Sequence, residues 1–265
     1  MYLLRYINLF CKIWALDIQA QIEYKFDFFI GNLATILGQV VGIVFVWIIM
    51  KRIGNLSDWN FAEVMLIYAF SAIPYGLSQL LFNGFWRLTA YVKSGDFDFF
   101  LVRPLGALFL ILSDQAATHG IGTIATGIVI LVKAASDLNI KCNLLNIAVF
   151  MLMIICGTII HISINMLSSS ISFWFVGVKG SVMFVVQQFR DFANYPISIY
   201  SIPLQIILTW ILPFALTSFY PVAYLLGKQG YFVFVYIIPL VSLGFLGISY
   251  CIWYIGLSKY QSTGS

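Results

Sequence analysis

Long uncharged runs dominate the chain and predict membrane-spanning helices. A helix needs about 20 apolar residues to cross the hydrocarbon core of a bilayer, which is about 30 Å thick. Residues 28–50 and 64–86 are uncharged runs of that length, and residues 142–178 form a longer one. The pattern predicts an all-α polytopic membrane protein with one transmembrane domain over residues 1–259 and a disordered tail over 260–265. The predicted spans are 28–50, 64–82, 104–132, 144–174, 203–220 and 231–257.

The fifth of these six spans is ambiguous because its region is rich in proline, which interrupts helices. The uncharged run 192–227 contains four prolines, at Pro196, Pro203, Pro213 and Pro221. One interpretation is a crossing at 203–220 that follows an interfacial helix and turn over 180–202. The alternative is a crossing that starts near residue 181, with the proline-rich remainder re-entrant on the outer face.

The segment 1–27 precedes the first predicted span and has two faces. Polar side chains recur every seven residues at Arg5, Lys12 and Gln19, while apolar side chains occupy another face. This pattern predicts an amphipathic helix that lies in the membrane interface. An extension of the first span is the weaker alternative, because four charged residues between positions 17 and 27 would then enter lipid.

Positive charge indicates the orientation, because Lys and Arg favour cytoplasmic segments. With the N-terminus inside and six spans, most of the 14 lysines and arginines fall on inner segments. The sequence therefore predicts cytoplasmic N- and C-termini.

Composition supports the membrane assignment and excludes several functions. Hydrophobic residues make up 62% of the chain and charged residues 9%, whereas soluble domains carry about 25% charged residues. The net charge of +4 is spread along the chain, so we expect no nucleic-acid partner. The four cysteines show neither a CxxC spacing nor a Cys/His cluster, so we expect no metal site.

The sequence contains no motif for binding and hydrolysing ATP. A phosphate-binding loop needs the pattern GxxxxGK[ST], and the one GK pair, Gly227–Lys228, is followed by Gln229. Motifs for hydrolytic catalysis are also absent from the sequence. We therefore expect that the chain is not itself an enzyme and binds no cofactor.

Three ionisable residues fall inside predicted spans, and we treat them as candidates for a translocation path or for helix packing: Asp114, His119 and His161. A carboxylate at such depth costs several kcal/mol unless it is paired or neutral. Asp114 could line a substrate path, but a contact between helices through Ser113, Gln115 or a partner chain is favoured. Each histidine is expected to be neutral and hydrogen-bonded to a neighbour such as Thr118, Thr158 or Ser163. A proton relay through all three is disfavoured.

Small residues recur every four positions in the first span, at Ala34, Gly38 and Gly42. Such a stripe lets helices approach closely. Packing within the chain is favoured over a dimer seam.

The loop between spans two and three, residues 83–104, has the pattern of a short amphipathic helix. Phe85, Leu88 and Val92 fall on one helical face, and Gly95 is suited to end the helix. Pro104 suits the first turn of the next span. Such a helix would lie flat under the membrane and dock into a groove of a soluble partner. The alternative is a plain interfacial loop.

At this loop the sequence resembles a known family. The stretch "SGDFDFFLVRPL", residues 94–105, is similar to a signature of the membrane subunits of type-two ATP-binding cassette exporters, in a branch of small bacterial permeases. A second stretch, "YPISIYSIPLQIILTWILPFALTSFYPVAYLLG" over residues 195–227, is similar to the proline pattern of that branch. It departs from the pattern at Ser201, where a proline is expected.

The resemblance implies a permease in the bacterial cell membrane that works with two cytoplasmic ATPase subunits. Those subunits would bind ATP and Mg²⁺, and a second permease, identical or related, would complete the complex. A heterodimer is consistent with the branch, whose members often occur as two different permeases. The loop after span two would be the coupling helix. The residues implied in docking to the ATPase are Arg87, Lys93, Asp96, Asp98 and Arg103.

Further consequences follow from the resemblance. The N-terminal helix would brace the ATPase, and spans one, two and five would line a conduit between the two permeases. An amphipathic or hydrophobic cargo such as a drug, a peptide or a lipid would suit an apolar path. Two alternatives remain, a proton-coupled secondary transporter that uses Asp114 and a membrane scaffold without transport activity.

Overall fold

The structure, a computed structural model, describes residues 2–140, 143–175 and 181–262. Within these ranges it is built from helices and contains no strand, which confirms the predicted all-α class. The helices are α1 (Tyr2–Glu23), α2 (Lys25–Ile53), α3 (Phe61–Phe82), α4 (Phe85–Ser94), α5 (Asp98–Leu101), α6 (Ala107–Leu112), α7 (His119–Asp137), α8 (Leu144–Ser170), α9 (Ser181–Phe192), α10 (Ile202–Ile206), α11 (Phe219–Leu225) and α12 (Phe234–Lys259).

Five stretches of the described chain are long and apolar enough to cross a membrane. They are Lys25–Arg52, Phe61–Phe82, His119–Asp137, Leu144–Phe173 and Phe234–Lys259. The protein is therefore a multi-pass membrane protein. The count of six spans remains a prediction, because the regions predicted as spans three and five have irregular helices.

The predicted span 104–132 is interrupted over residues 113–118, between α6 and α7. Here the backbone is bonded to the end of α3 and not only to its own helix. The N–H of Asn83 donates to the carbonyl of Gln115, and the N–H of Ala117 donates to the carbonyl of Gln79, both at 3.2 Å. We call residues 113–118 the break segment.

The predicted span 203–220 is not one continuous helix. α10 passes into a π-helical turn over Ile207–Ile211, and a 3₁₀ turn over Phe214–Thr217 leads to α11. Pro213 lies between these turns and has no N–H with which to continue a helix. The predicted break at the prolines is thus present, but it divides the segment that was predicted to cross.

α9 packs against α3 and α8, but with 12 residues it is shorter than the about 20 that a crossing needs, so the placement of the fifth span stays a prediction. Its last turn lies beside the middle of α3, because the Arg190 guanidinium is 3.7 Å from the centre of the Tyr75 ring. Earlier in α9, the Gln187 amide donates to the Asn165 side chain at 2.7 Å, which joins it to α8. Residue 180 and the four residues before it lie outside the described residues.

The core is centred on α3. Its side chains Val64, Ile67 and Phe70 are fully buried. α3 packs closely on α7 through glycine, since a Cβ at Gly120 would lie 2.8 Å from the Gly76 carbonyl oxygen. In contrast, only 11% of the residues in the most apolar stretch of α2 are buried, so α2 lies at the edge of the bundle.

The C-terminal end is more ordered than predicted. Tyr260 and Ser262 both donate hydrogen bonds to the Asp98 carboxylate, Tyr260 at 3.0 Å. The predicted disorder over 260–265 is therefore wrong for residues 260–262, and residues 263–265 lie outside the described part of the chain.

Candidate coupling site

The apolar face predicted for the loop after α3 is present in α4. Phe85, Leu88 and Val92 are fully buried on one side of this helix. Their neighbours in the same apolar cluster include Phe173 and Trp253, from the end of α8 and from α12. The apolar face of α4 therefore packs against the protein's own core, and docking of this helix to a soluble partner stays a prediction that would use its other face.

Gly95 ends α4 as predicted. It has a φ of +84°, a left-handed conformation that glycine adopts without steric cost. The turn brings Phe97 into the core, where its ring centre lies 5.3 Å from that of Phe173 and 5.0 Å from that of Tyr260. The chain after α4 is thus attached to both α8 and the C-terminal segment.

The residues predicted to dock to the ATPase divide into two groups. Arg87, Lys93, Asp96 and Arg103 are exposed, with 51% of the Arg87 side chain accessible. Asp98 instead accepts the two hydrogen bonds from the C-terminal segment. Four of the five side chains are therefore accessible to a partner, whereas Asp98 has a role within the chain. Docking itself remains a prediction for all five.

Asp114 lies in the break segment, and its partners are in α4. Its carboxylate accepts a hydrogen bond from the Tyr91 hydroxyl at 2.7 Å and lies 3.8 Å from the Arg87 guanidinium. The predicted contact between helices is therefore present, but with α4 and not through Ser113 or Gln115. Burial raises the pKa of Asp114 above its usual value, although the Tyr91 hydrogen bond and the Arg87 charge both oppose this shift. Burial and the bond to Asp114 also raise the pKa of Tyr91.

The N-terminal helix α1 is hydrogen-bonded to the break segment on the side opposite α4. The Asp17 carboxylate accepts from the N–H of Ala116 at 2.7 Å, and the Gln21 amide donates to the carbonyl of the same residue at 2.6 Å. The Thr118 hydroxyl donates to Gln21 at 2.8 Å, and the Trp14 ring nitrogen donates to the carbonyl of Leu80 at 2.9 Å. The break segment thus lies between α1 and α4, hydrogen-bonded to both.

Sequence reasoning did not identify Tyr91, Asp17 or Gln21 as members of this site. The sequence could have indicated two of them as a pair, because Asp17 and Gln21 are four residues apart and therefore share a face of α1. Their side chains also bond to each other at 2.8 Å. Nothing local distinguishes Tyr91, because its partner is 23 residues away in sequence.

The two histidines do not join Asp114 in one cluster. His119 is exposed at the start of α7 and lines a cavity. His161 is 1% exposed and lies between the rings of Tyr75 and Phe214. Among the described residues, neither nitrogen of His161 has a hydrogen-bond partner, so the predicted bond to Thr158 or Ser163 is wrong. Those hydroxyls donate to carbonyl groups one turn earlier in α8.

One family of known proteins matches most of the chain. The family model described as "ABC-2 family transporter protein" matches residues 36–264, which include α3 to α12 and hence α4 and the break segment. Searches of curated proteins and of solved structures give no match. Because the family model covers more than half of the chain, the protein belongs to the ABC-2 transporter family and is a membrane-spanning permease of that family.

Proposed function

We propose that this permease is the membrane subunit of an ATP-binding cassette exporter and that α4 transmits the motion of the ATPase to the spans. The observation that supports this most is that α4 has one buried face and one exposed face. Its apolar face is buried in the core and Tyr91 is bonded to Asp114, whereas Lys93 is exposed.

This arrangement suits a helix that is moved as a rigid body. Close-packed interiors transmit displacement, because they have few voids to absorb it. A push on α4 would pass through Phe85 and Phe97 to α8 and α12. It would pass through Tyr91 and Asp114 to the break segment, and from there to α7. α1 would move with the break segment through Asp17 and Gln21.

The remaining parts of the complex follow from this proposal. The ATPase subunits bind ATP and Mg²⁺ on the cytoplasmic side of a cell membrane, where α4 and both termini of the permease lie. A second permease, identical or related, completes the path for an amphipathic cargo. The exposed α2 is the element that we assign to this contact.

The local bonding of Asp114 disfavours the proton-coupled alternative. A carboxylate that carries protons across a membrane needs successive partners along the path, whereas Asp114 is bonded to α4 at one end of α7. Transport coupled to protons by the purified chain without any ATPase would contradict the proposal.

The experiment that tests the proposal compares two charge reversals. Lys93→Glu changes the exposed side of α4, and Lys133→Glu changes an exposed lysine near the other end of α7. We expect Lys93→Glu to reduce both ATPase co-purification and cargo-stimulated ATP hydrolysis, and Lys133→Glu to leave both unchanged. Equal effects of the two variants would contradict a docking role for α4.

A further inference from the structure

A cavity of about 540 Å³ lies between α2, α3, the start of α7 and the end of α9. Its walls come from the middle of two candidate spans, at Gly38 in α2 and at Tyr68 and Tyr75 in α3. Cavities of 300–1,000 Å³ commonly hold small ligands. The stripe predicted to pack helices borders this cavity: a Cβ on Gly38 would meet nothing within 4 Å, whereas a Cβ on Gly42 would lie 3.4 Å from the Tyr68 hydroxyl of α3.

The two charged groups in the cavity wall neutralise each other. The Arg190 guanidinium donates to the Asp191 carboxylate at 2.6 Å and lies against the Tyr75 ring. Only 20% of the Arg190 side chain is exposed. A charged ligand would lose water on entering a low-dielectric site without gaining an unpaired counter-charge. The wall therefore disfavours both anions and cations.

Most of the other residues that line the cavity carry a hydrogen-bonding group. Hydroxyl groups come from Tyr68, Thr123 and Tyr195, and amides come from Gln39 and Asn194. Within the described residues, the Gln39 side-chain oxygen is buried and accepts no hydrogen bond. An acceptor left unpaired in this way costs about 1–3 kcal/mol, and rotation of the amide toward the cavity would let a ligand donate to it.

We propose that this cavity binds the uncharged, hydroxyl-rich head of an amphipathic cargo, such as a glycosyl group. Hydroxyl groups both donate and accept hydrogen bonds, as the amides and tyrosines of the wall require. The tyrosine rings offer flat apolar surfaces to the C–H face of a sugar ring. This inference rests on the proposed function and adds to it the chemistry of the cargo head.

The surface of α2 beside the cavity suits the apolar tail. Leu37 is 54% exposed and Val41 is 68% exposed, on either side of Gly38. Since these side chains face outward from the bundle, a tail attached to a head in the cavity would pass over Gly38 and lie along α2 in the lipid.

Gly38 allows a steric test with a matched control. Leucine at position 38 would project toward the cavity, and Gly31→Leu is the same change one heptad earlier, away from the cavity wall. A Cβ at either glycine meets nothing within 4 Å, so both positions have room for the first atom of a side chain. Gln39→Leu removes the amide at similar volume and serves as a second test.

The experiment uses the permease in nanodiscs with its ATPase and partner permease. The probe is a dodecyl glucoside with a diazirine in its alkyl chain, and labelled peptides are mapped by mass spectrometry. We expect labelling near residues 34–42 in the wild type and in Gly31→Leu. It should fall about tenfold in Gly38→Leu and also decrease in Gln39→Leu. Unlabelled dodecyl maltoside should compete with the probe, whereas laurate, dodecylphosphocholine and dodecyltrimethylammonium should not.

Several results would overturn the inference. These are the absence of labelling, equal labelling in Gly38→Leu, and competition by a charged amphiphile as strong as that by the maltoside. If labelling fails while the ATPase still co-purifies, only the assignment of the cargo head is lost. If the ATPase does not associate, the proposed function itself fails.

Discussion

At the scale of single residues, the structure gives Asp114 an environment that the sequence did not indicate. In the sequence it is an acid inside an apolar run, where ionisation is costly. In the structure it lies in the break segment, bonded to Tyr91 and near Arg87. The carboxylate therefore connects the candidate coupling helix to the element that leads into α7.

Removal of the Tyr91 hydroxyl should weaken this connection. Tyr91→Phe leaves the ring in place and removes the donor to Asp114, so we expect a loss of about 1 kcal/mol in stability, measured by unfolding in detergent. Tyr24→Phe is a matched control, because Tyr24 is 70% exposed and its hydroxyl can bond to water. An equal loss in both variants would mean that the bond to Asp114 adds no stability.

The raised pKa of Asp114 predicts a pH dependence of stability. The folded chain binds this proton more tightly than the unfolded chain does. The free energy of unfolding therefore decreases as the pH rises from the usual pKa of an aspartate through the raised pKa of Asp114 in the folded chain. Asp114→Asn cannot ionise and avoids that loss. We therefore expect the melting temperature of Asp114→Asn, relative to wild type, to be higher at pH 8 than at about pH 4, near the usual pKa of an aspartate. A relative melting temperature that falls with pH would contradict the assigned direction.

At the scale of elements, α4 is held by its buried face. Leu88 is fully buried, and truncation of such a leucine to alanine typically costs about 2–5 kcal/mol. We expect Leu88→Ala to lower thermal stability and to reduce cargo-stimulated ATP hydrolysis. Leu101→Ala makes the same change at a side chain that is 45% exposed and should have a smaller effect on stability. Similar losses in the two variants would show that α4 is not anchored by this face.

Sequence pattern predicted α4 because its information is local. An apolar residue every three or four positions defines the buried face, and Gly95 marks the end. The break segment could not be predicted in this way, since its backbone bonds to Gln79 and Asn83 in α3 and to side chains of α1. The prolines predicted that the run 192–227 is broken, but not that the break falls near Pro213 inside the predicted span 203–220, nor the π-helical turn before it. The sequence also does not show that the apolar face of α4 packs on Phe173 and Trp253, because these residues are distant along the chain.

At the scale of the whole molecule, the described helices pack around α3, and α2 is exposed at the edge of this bundle. α3 is surrounded by α7, α8 and α11, whereas most of α2 is accessible. The candidate coupling site and the cavity lie on different parts of this bundle, and both contact α3 and α7. Movement of the break segment at the start of α7 would therefore reach the cavity wall at His119 and Thr123.

Photo-crosslinking from α4 tests the central claim most directly. A benzoylphenylalanine at Ala90, which is exposed on α4, is compared with one at Ser136, which is exposed near the other end of α7. α7 has 19 residues, so its ends are about 28 Å apart. In the assembled complex, we predict that the ATPase crosslinks to position 90 and not to position 136. Crosslinks from position 136 alone, or from neither position in a complex that still hydrolyses ATP, would contradict the assignment of α4 as the coupling helix.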